Sequence, residues 1–471
     1  MLRRRTAGAL ALAAIAGLAA ACSPVTGPSA TTQADAPPSP PPIVIVIEHA
    51  RVFDGERDLG EVTLVIRDGL IARVAQPDAD DLPADAERID YRGRFIVPGL
   101  VNAHAHVGNT EGTAHGDRFY TRAHVVRDLR QFQAYGVTTV MSLGMNGAAF
   151  GDIRDAVAAD PSLGAQLLGA GGGIGVPDGA PPAANMGLVH DPVARPASAA
   201  EARAAVRAQA EGGVDIVKLW VDALGGQVTP MAPEIYRATI DEAHRQKLLA
   251  AAHIHDLAPA ADLVAAGLDI VAHGVRDRPV DPAFVTALRS SDTGYIATLQ
   301  IDEANYIYAE HPEWLQTPFL RNALPEAVRA QWSDPQWRAD TLRDPQTTKA
   351  RAALATNLRN LSTLREAGVR IGFGTDAGAL PRRVPGFAEH RELELMMQAG
   401  FSPQQALTVA TRDSAHLLRL DDRGLLQPGR RADFIVVAAD PLADIRNLRT
   451  IEAVWQAGRK VAGPVADYRA P

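Results

Sequence analysis

Among 471 residues there is one cysteine, Cys22, so the chain can form no internal disulfide and keeps no thiol in its body to act as a nucleophile. Positive charge is also short. The 47 lysines and arginines face 55 aspartates and glutamates, a formal charge of −8, and losing Arg3, Arg4 and Arg5 with a leader would make it −11. A surface that binds phosphates needs the opposite balance, which argues against nucleic acid as a partner. A membrane-length apolar run is missing as well: the stretch Ala7 to Ala21 is too short for a comfortable span. Preceded by the basic "MLRRR" and ending in small residues, it reads as an export signal over residues 1–21. What remains is 46% hydrophobic and 22% charged, the balance of a folded protein long enough for more than one domain.

The end of the leader resembles a bacterial lipobox, although Ala19 stands where that motif usually has Leu. The resemblance implies that Cys22 is lipidated and becomes the mature N-terminus. Ser23 after it implies a Gram-negative outer-membrane lipoprotein facing the periplasm, anchored to the membrane by its acyl chains. "SPVTGPSATTQADAPPSPPP", to Pro42, has no apolar periodicity and cannot bury enough surface to fold, so residues 22–42 are expected to be the lipidated cysteine and a tether.

From Ile43 the text changes to short alternating runs such as "IVIVIEHARVFDG" and "EVTLVIRDGLIARVA", punctuated by Gly and Asp, and the same texture returns in "GLLQPGRRADFIVVAAD" and "IEAVWQAGRKV". These are strands and turns. Between them, continuous apolar runs alternate with helix-patterned segments: "FIVPGLVNAHAHV", "GVTTVMSLG", "AQLLGAGG", "VDIVKLWVDA", "LLAAAHIHD", "GLDIVAHGV", "GYIATLQ" and "VRIGFGTDAG". Eight such units predict an α/β fold, a (β/α)₈ TIM-like barrel over residues 99–415, with its site at the C-terminal ends of the strands. A small β-sandwich domain built from both termini, residues 43–98 and 416–471, is expected beside it.

Each barrel strand is apolar in its body and polar at its end. His104 and His106 stand two apart in "NAHAHV", so on a strand they share a face. Lys218, His253, His273 and Asp376 end four further strands and would converge on the same mouth. Burying so many ionisable groups together is costly unless a divalent cation compensates them, and imidazole with carboxylate is a zinc-type donor set that can leave a position open for water.

These pieces, "PGLVNAHAHV", "GVTTV", "DIVKLWVD", "AAHIHD", "AGLDIVAHG", "GTDAG" and "GLLQPGRRADFIVVAADPL", resemble the amidohydrolase superfamily, in its imidazolonepropionase-like and Xaa-Pro dipeptidase-like branch, from about Ile43 to Val461. The resemblance implies two divalent metal ions, most readily Zn²⁺. His104 and His106 would hold the more buried one, His253 and His273 the more exposed one. Lys218 would bridge them as a carboxylated (carbamylated) lysine. Asp376 would be both a ligand and the catalytic base and acid. Read from the residues alone, two alternatives stay open: Lys218 as a plain lysine at a mononuclear site, and His255 in place of His253 as ligand. His244 is expected to support packing, and His115 and His124 lie in segments after early strands.

The implied activity is hydrolysis of an amide bond in a small molecule or short peptide, such as a dipeptide or an N-acyl amino acid. A cyclic-amide hydrolase of the imidazolonepropionase type, or an inactive tethered binding protein, are the alternatives. The candidates for substrate contact are Arg276 or Arg278 in "HGVRDRP", one of which could pair with a carboxylate unless "RDRP" is an internal salt-bridged turn, and His190, in the Gly- and Pro-rich loop "GAGGGIGVPDGAPPAANMGLVHDP". "QIDEANYIYAEHPEWLQTPFL" could supply another wall or pack as helix, and "MSLGMNG" departs from the "RDLGG"-like text of the branch. Nothing in the sequence marks an oligomer interface.

Overall fold

The computed structural model describes residues 43–77, 79 and 81–470. The expected signal peptide, Cys22 and the tether lie outside the described residues. Among the described residues, no helix is long and apolar enough to cross a membrane.

Eight parallel strands are found where the eight apolar runs stand: Leu100–Ala105, Val137–Ser142, Gln166–Gly169, Ile216–Trp220, Leu249–His253, Ile270–Ala272, Gly294–Ile296 and Ile371–Gly372. The first three form one ladder and the last five another. Backbone bonds close both seams into a ring. Asp215 N donates to Gly169 O at 2.9 Å and Ile174 N to Lys218 O at 2.8 Å, while Ala103 N donates to Phe373 O at 2.9 Å and His106 N to Ala377 O at 2.7 Å. Inside the ring Val101, Ala103, Met141, Ile216, Ala251 and Ile270 pack with Leu417 as an apolar plug. The residues of opposite parity face the surrounding helices, as a parallel sheet covered on both sides requires.

Most of the extra helix lies between the seventh and eighth strands, from Gln300 to Glu366. The aromatic segment read as a possible wall is packed here: Tyr308 stacks on Trp332 with centroids 4.1 Å apart, and Phe319 meets Tyr135 edge to face at 4.9 Å.

Both ends of the chain build a single hydrogen-bonded sheet. Its order is Arg459–Ala462, Ile451–Gln456, Phe434–Val437, Phe95–Pro98, Val44–Phe53, Asp58–Arg67 and Leu70–Ala75, with Glu87–Asp90 pairing alongside Val44–Phe53. The long strand divides its partners: Ile45–Glu48 pairs with Glu87–Asp90, and Arg51–Val52 with Phe95–Ile96. Between them His49 takes φ 59° at a register shift, so the strand bends as bulges make strands bend. The sheet thereby gathers a core of its own, with Ile47, Val52, Leu64, Phe434 and Trp455, while Ile435, Val437, Ile451 and Val454 face the helix-covered core of the barrel. Phe95–Pro98 runs directly into the first barrel strand, so this sheet fixes where that strand starts.

Candidate metal centre

Strand geometry places the polar ends together, with two departures from simple alternation. Lys218 shares a face with Ile216, and His253 with Ala251, so period two carries both into the ring. His104 and His273 follow Ala103 and Ala272, residues that already point into the plug. A one-residue irregularity between Asn102 and Ala105 re-aims His104, and a left-handed backbone (φ 87°) re-aims His273. Asp376 (φ 57°) and Thr298 (φ 45°) are left-handed as well, a conformation that costs energy in non-glycine residues and often gathers at functional sites.

The donors converge. His104 Nε2 and His106 Nε2 lie 3.1 and 3.0 Å from the same oxygen, Asp376 Oδ1. Donor atoms of His104, His273 and Asp376 all fall within 4.8 Å of one another. The imidazole centroids of His104 and His273, and of His253 and His273, are 4.5 Å apart, and Lys218 Nζ is 3.5 Å from His104 Nε2. His104, His106, Lys218, His273 and Asp376 are buried, and the His253 side chain, 18% exposed, lies nearest the mouth.

Hydrogen bonds on the far side of the rings fit this arrangement to a cation. His106 Nδ1 is 3.1 Å from the carbonyl of Gly144, which can only accept, so Nδ1 carries the proton and Nε2 presents a lone pair. That lone pair faces a carboxylate oxygen at 3.0 Å, an arrangement of two acceptors that a shared cation satisfies. At His273, Thr298 Oγ1 donates to Ala297 O at 2.8 Å and so accepts from His273 Nδ1 at 2.8 Å, again turning Nε2 inward as a lone pair. His104 Nδ1 is buried without a hydrogen-bond partner.

Burial sets the charge states. It lowers His104 to about 3, with Lys218 adding to the effect, lowers His273 well below the usual histidine range, and lowers His253 against the pull of Asp222. These are neutral imidazoles, the form that binds metal. Burial lowers Lys218 to about 7, so its amine can lose the proton that blocks reaction with CO₂. Burial opposes ionisation of Asp376, but the Arg383 guanidinium beside it holds the carboxylate well below its ordinary range.

The other candidates divide. His255 is 41% exposed and pairs with Asp256 at 2.6 Å, while His253 faces His273, so the structure brings His253 and not His255 to the cluster. Arg276 is turned inward: its guanidinium donates to the carbonyls of Ile254 (3.2 Å) and Gly274 (2.9 Å) and faces Asp302 at 3.6 Å. Arg278 pairs with Asp277 at 2.6 Å. His190 stands at the surface, 88% exposed and 3.6 Å from Asp117. His244 pairs with Asp269 at 2.8 Å, His115 with the Asn185 carbonyl at 2.9 Å, and His124 with the Phe119 carbonyl at 2.7 Å. In "MSLGMNG", Gly144 supplies the carbonyl that fixes His106, and Asn146 ties back to Ser142 Oγ at 2.7 Å. A Cβ at Gly144 or Gly173 would come within 2.4 Å of the Trp220 indole, which explains glycine at both places.

Three groups at the site were not among the candidates. Asp222 is buried with Oδ2 3.0 Å from His253 Nε2, which places a second carboxylate at the mouth. It follows Lys218 by four residues, a parity that "VKLWVD" displays. Arg383 pairs with Asp376 Oδ2. Glu389 ties the two walls of the seam together, accepting from Asn102 Nδ2 at 2.7 Å and Gly386 N at 2.6 Å, while Asn102 also reaches Thr375 Oγ1 at 2.9 Å.

Behind the seventh strand, Glu392 receives the backbone N–H groups of Leu299 and Gln300, each at 2.8 Å, yet burial pushes it up to about 8. A folded-state value above the unfolded one contributes stability that is complete below the ordinary carboxylate range and lost as pH rises through about 8. Between pH 5 and 8.5 the melting temperature of the parent should therefore fall relative to that of Glu392→Gln. Parallel curves across this window would show that Glu392 ionises normally.

The amidohydrolase family profile matches residues 95–461, and the chain belongs to that family. It is a metal-dependent hydrolase acting on C–N bonds. Among curated proteins it is similar to ochratoxinase of Aspergillus niger, 25% identical over 449 residues that cover 87% of this chain and 85% of that enzyme. It is 36% identical to imidazolonepropionase of Deinococcus deserti over 102 residues, which are 21% of this chain and 25% of that enzyme. Among solved structures, a Bifidobacterium longum protein assigned provisionally as a prolidase superposes with a TM-score of 0.70 at 28% identity, covering 89% of this chain and 94% of the other. A Xaa-Pro dipeptidase with bound methionine shares the fold, with a TM-score of 0.71 at 23% identity over 88% of this chain and 99% of that one.

Proposed function

We propose that the protein hydrolyses a linear amide, a dipeptide or an N-acyl amino acid, at a centre of two divalent metal ions, most readily Zn²⁺. The observation that carries this reading is the convergence of the His104 and His106 Nε2 atoms on Asp376 Oδ1 in a buried mouth, with His273 beside them. His104, His106 and Asp376 would hold the inner ion, and His253 and His273 the outer. Lys218 would join the two as a carbamate, since an ammonium among three imidazoles repels a cation, whereas a carbamate offers two anionic oxygens. When bound, the ions supply Lewis acidity, lowering the pKa of water and polarising the scissile carbonyl.

The chain's own residues handle the proton. Asp376 accepts it from the attacking water as the C–O bond forms, then returns it to the amide nitrogen as the C–N bond breaks, so the products are a carboxylic acid and an amine. Gly144 and Thr298 hold the His106 and His273 rings while this happens.

The relatives named above include a dipeptidase crystallised with methionine, and small peptide-like substrates suit a mouth of this kind. Hydrolysis of a cyclic amide is the second reading, favoured by the local likeness to imidazolonepropionase. Metal analysis by plasma mass spectrometry on protein produced with zinc and bicarbonate should find about two ions per chain, and linear amides should turn over faster than cyclic ones. Chelation should abolish turnover and lower the melting temperature, and zinc should restore both. Turnover that survives removal of all metal would overturn the reading. On the leader alone we further propose that Cys22 carries lipid and anchors the protein at the outer membrane. Cys22→Ser should then release it from the membrane fraction.

A further inference from the structure

We propose that a cavity beside Asp376, lined by His115, Asn305, Trp332, Trp337, Arg382 and Arg383, receives the leaving residue of the amide, and that this residue carries an α-carboxylate and a bulky apolar side chain. The inference rests on the amide-hydrolase reading and assigns the leaving-group side of its site.

Four observations converge. The cavity measures about 300 Å³, room for one large amino acid. Its lining holds two guanidiniums and an imidazole but no carboxylate, a wall that favours an anion. Its apolar side is firm: the Trp332 and Trp337 rings lie 6.0 Å apart at 19°, Trp332 is backed by Tyr308, and Arg382 is fixed 5.2 Å over Trp337 by donating to Asn305 O at 2.7 Å. Finally, Arg383 belongs both to this lining and to the proton-transfer group, since one of its nitrogens contacts Asp376 Oδ2.

That double membership matches the connectivity of an amino acid. Its nitrogen and its carboxylate are borne by the same carbon, so a receptor for the carboxylate must stand beside the group that protonates the nitrogen. Arg383 stands there, and among the described residues it has no second ion pair, which leaves the rest of its fork for a bidentate carboxylate. Arg276, by contrast, has Nη1 engaged by two backbone carbonyls and Nε turned to Asp302.

The test compares probes that differ by one carboxylate. Calorimetry on the metal-loaded protein should show L-phenylalanine binding about 30-fold or more tighter than phenethylamine, the loss expected when a charged hydrogen-bonded partner is removed. Arg383→Met should erase that preference with metal content unchanged. Trp337→Ala should weaken L-phenylalanine while leaving glycine as it was, and this variant decides the matter if Arg383→Met loses metal or fails to fold. Turnover should follow the same order, N-acetyl-L-phenylalanine above N-acetylphenethylamine. Equal binding of the two amines, or turnover of both amides alike, would overturn the subsite while leaving the hydrolase reading intact. Binding of L-phenylalanine that needs Arg383 and Trp337, without turnover of any amide, would uphold the subsite and sink the hydrolase reading instead.

Discussion

Asp376→Asn should lower kcat/KM by about 10³-fold or more, because one substitution removes both the group proposed to move the proton and the anion on which His104, His106 and Arg383 converge. The asparagine keeps the shape and an oxygen acceptor, so the variant should fold. Its carboxamide cannot take a proton at neutral pH, and no pH should rescue it. Metal content must be measured beside the rate: a variant that keeps its metal and loses turnover isolates proton transfer, whereas loss of both points to ligation. Activity within tenfold of the parent would remove Asp376 from the chemistry.

Lys218→Met should act in opposite directions on function and on stability. With the amine gone there is nothing to carboxylate, so metal content should fall to one ion or none and turnover by about 10³-fold or more. In metal-free, bicarbonate-free protein the same change should raise the melting temperature. Burial lowers Lys218 from 10.5 to about 7, so the folded chain gives up a proton that the unfolded chain keeps. Stability is thus complete above pH 10.5 and is lost as pH falls toward 7. Methionine removes that loss, so the gain should vanish near pH 10.5 and grow toward neutrality, to about 5 kcal/mol at 1.4 kcal/mol per pKa unit. A variant less stable than the metal-free parent at pH 7.5 would show that the amine is satisfied where it lies. Such a gain would mark Lys218 as a position held for function against the preference of the fold.

The parts of the site that were legible in the sequence are those where periodicity alone does the aiming. Lys218 and His253 continue the face begun by Ile216 and Ala251, and an apolar strand ending in an ionisable residue is conspicuous. His104 and His273 were found for their chemistry, but alternation does not explain their direction; a bulge and a left-handed residue do, and neither is written as a pattern of residue types. Arg383 was missed because it lies seven residues beyond Asp376 in a turn, where no period links one side chain to another. Asp222 shares the parity of Lys218 and was available to the same argument. Glu389 and Asn102 meet across most of the chain, a pairing that only the closed ring reveals. In the fold, eight units and two β-rich ends could be read, but not that Phe95–Pro98 would take Phe434–Val437 as its neighbour.

That last pairing bears on how the protein is made. The strand that delivers His104 and His106 is the continuation of Phe95–Pro98, one edge of which stays open until Phe434–Val437, far along the chain, has been synthesised. Contacts so distant along the chain are slow to form, and an unpaired strand edge is a place where chains join wrongly. The nascent chain therefore holds the strand that bears His104 and His106 in waiting, and a ribosome that stalls before residue 434 should release a product prone to aggregate rather than a shorter folded protein.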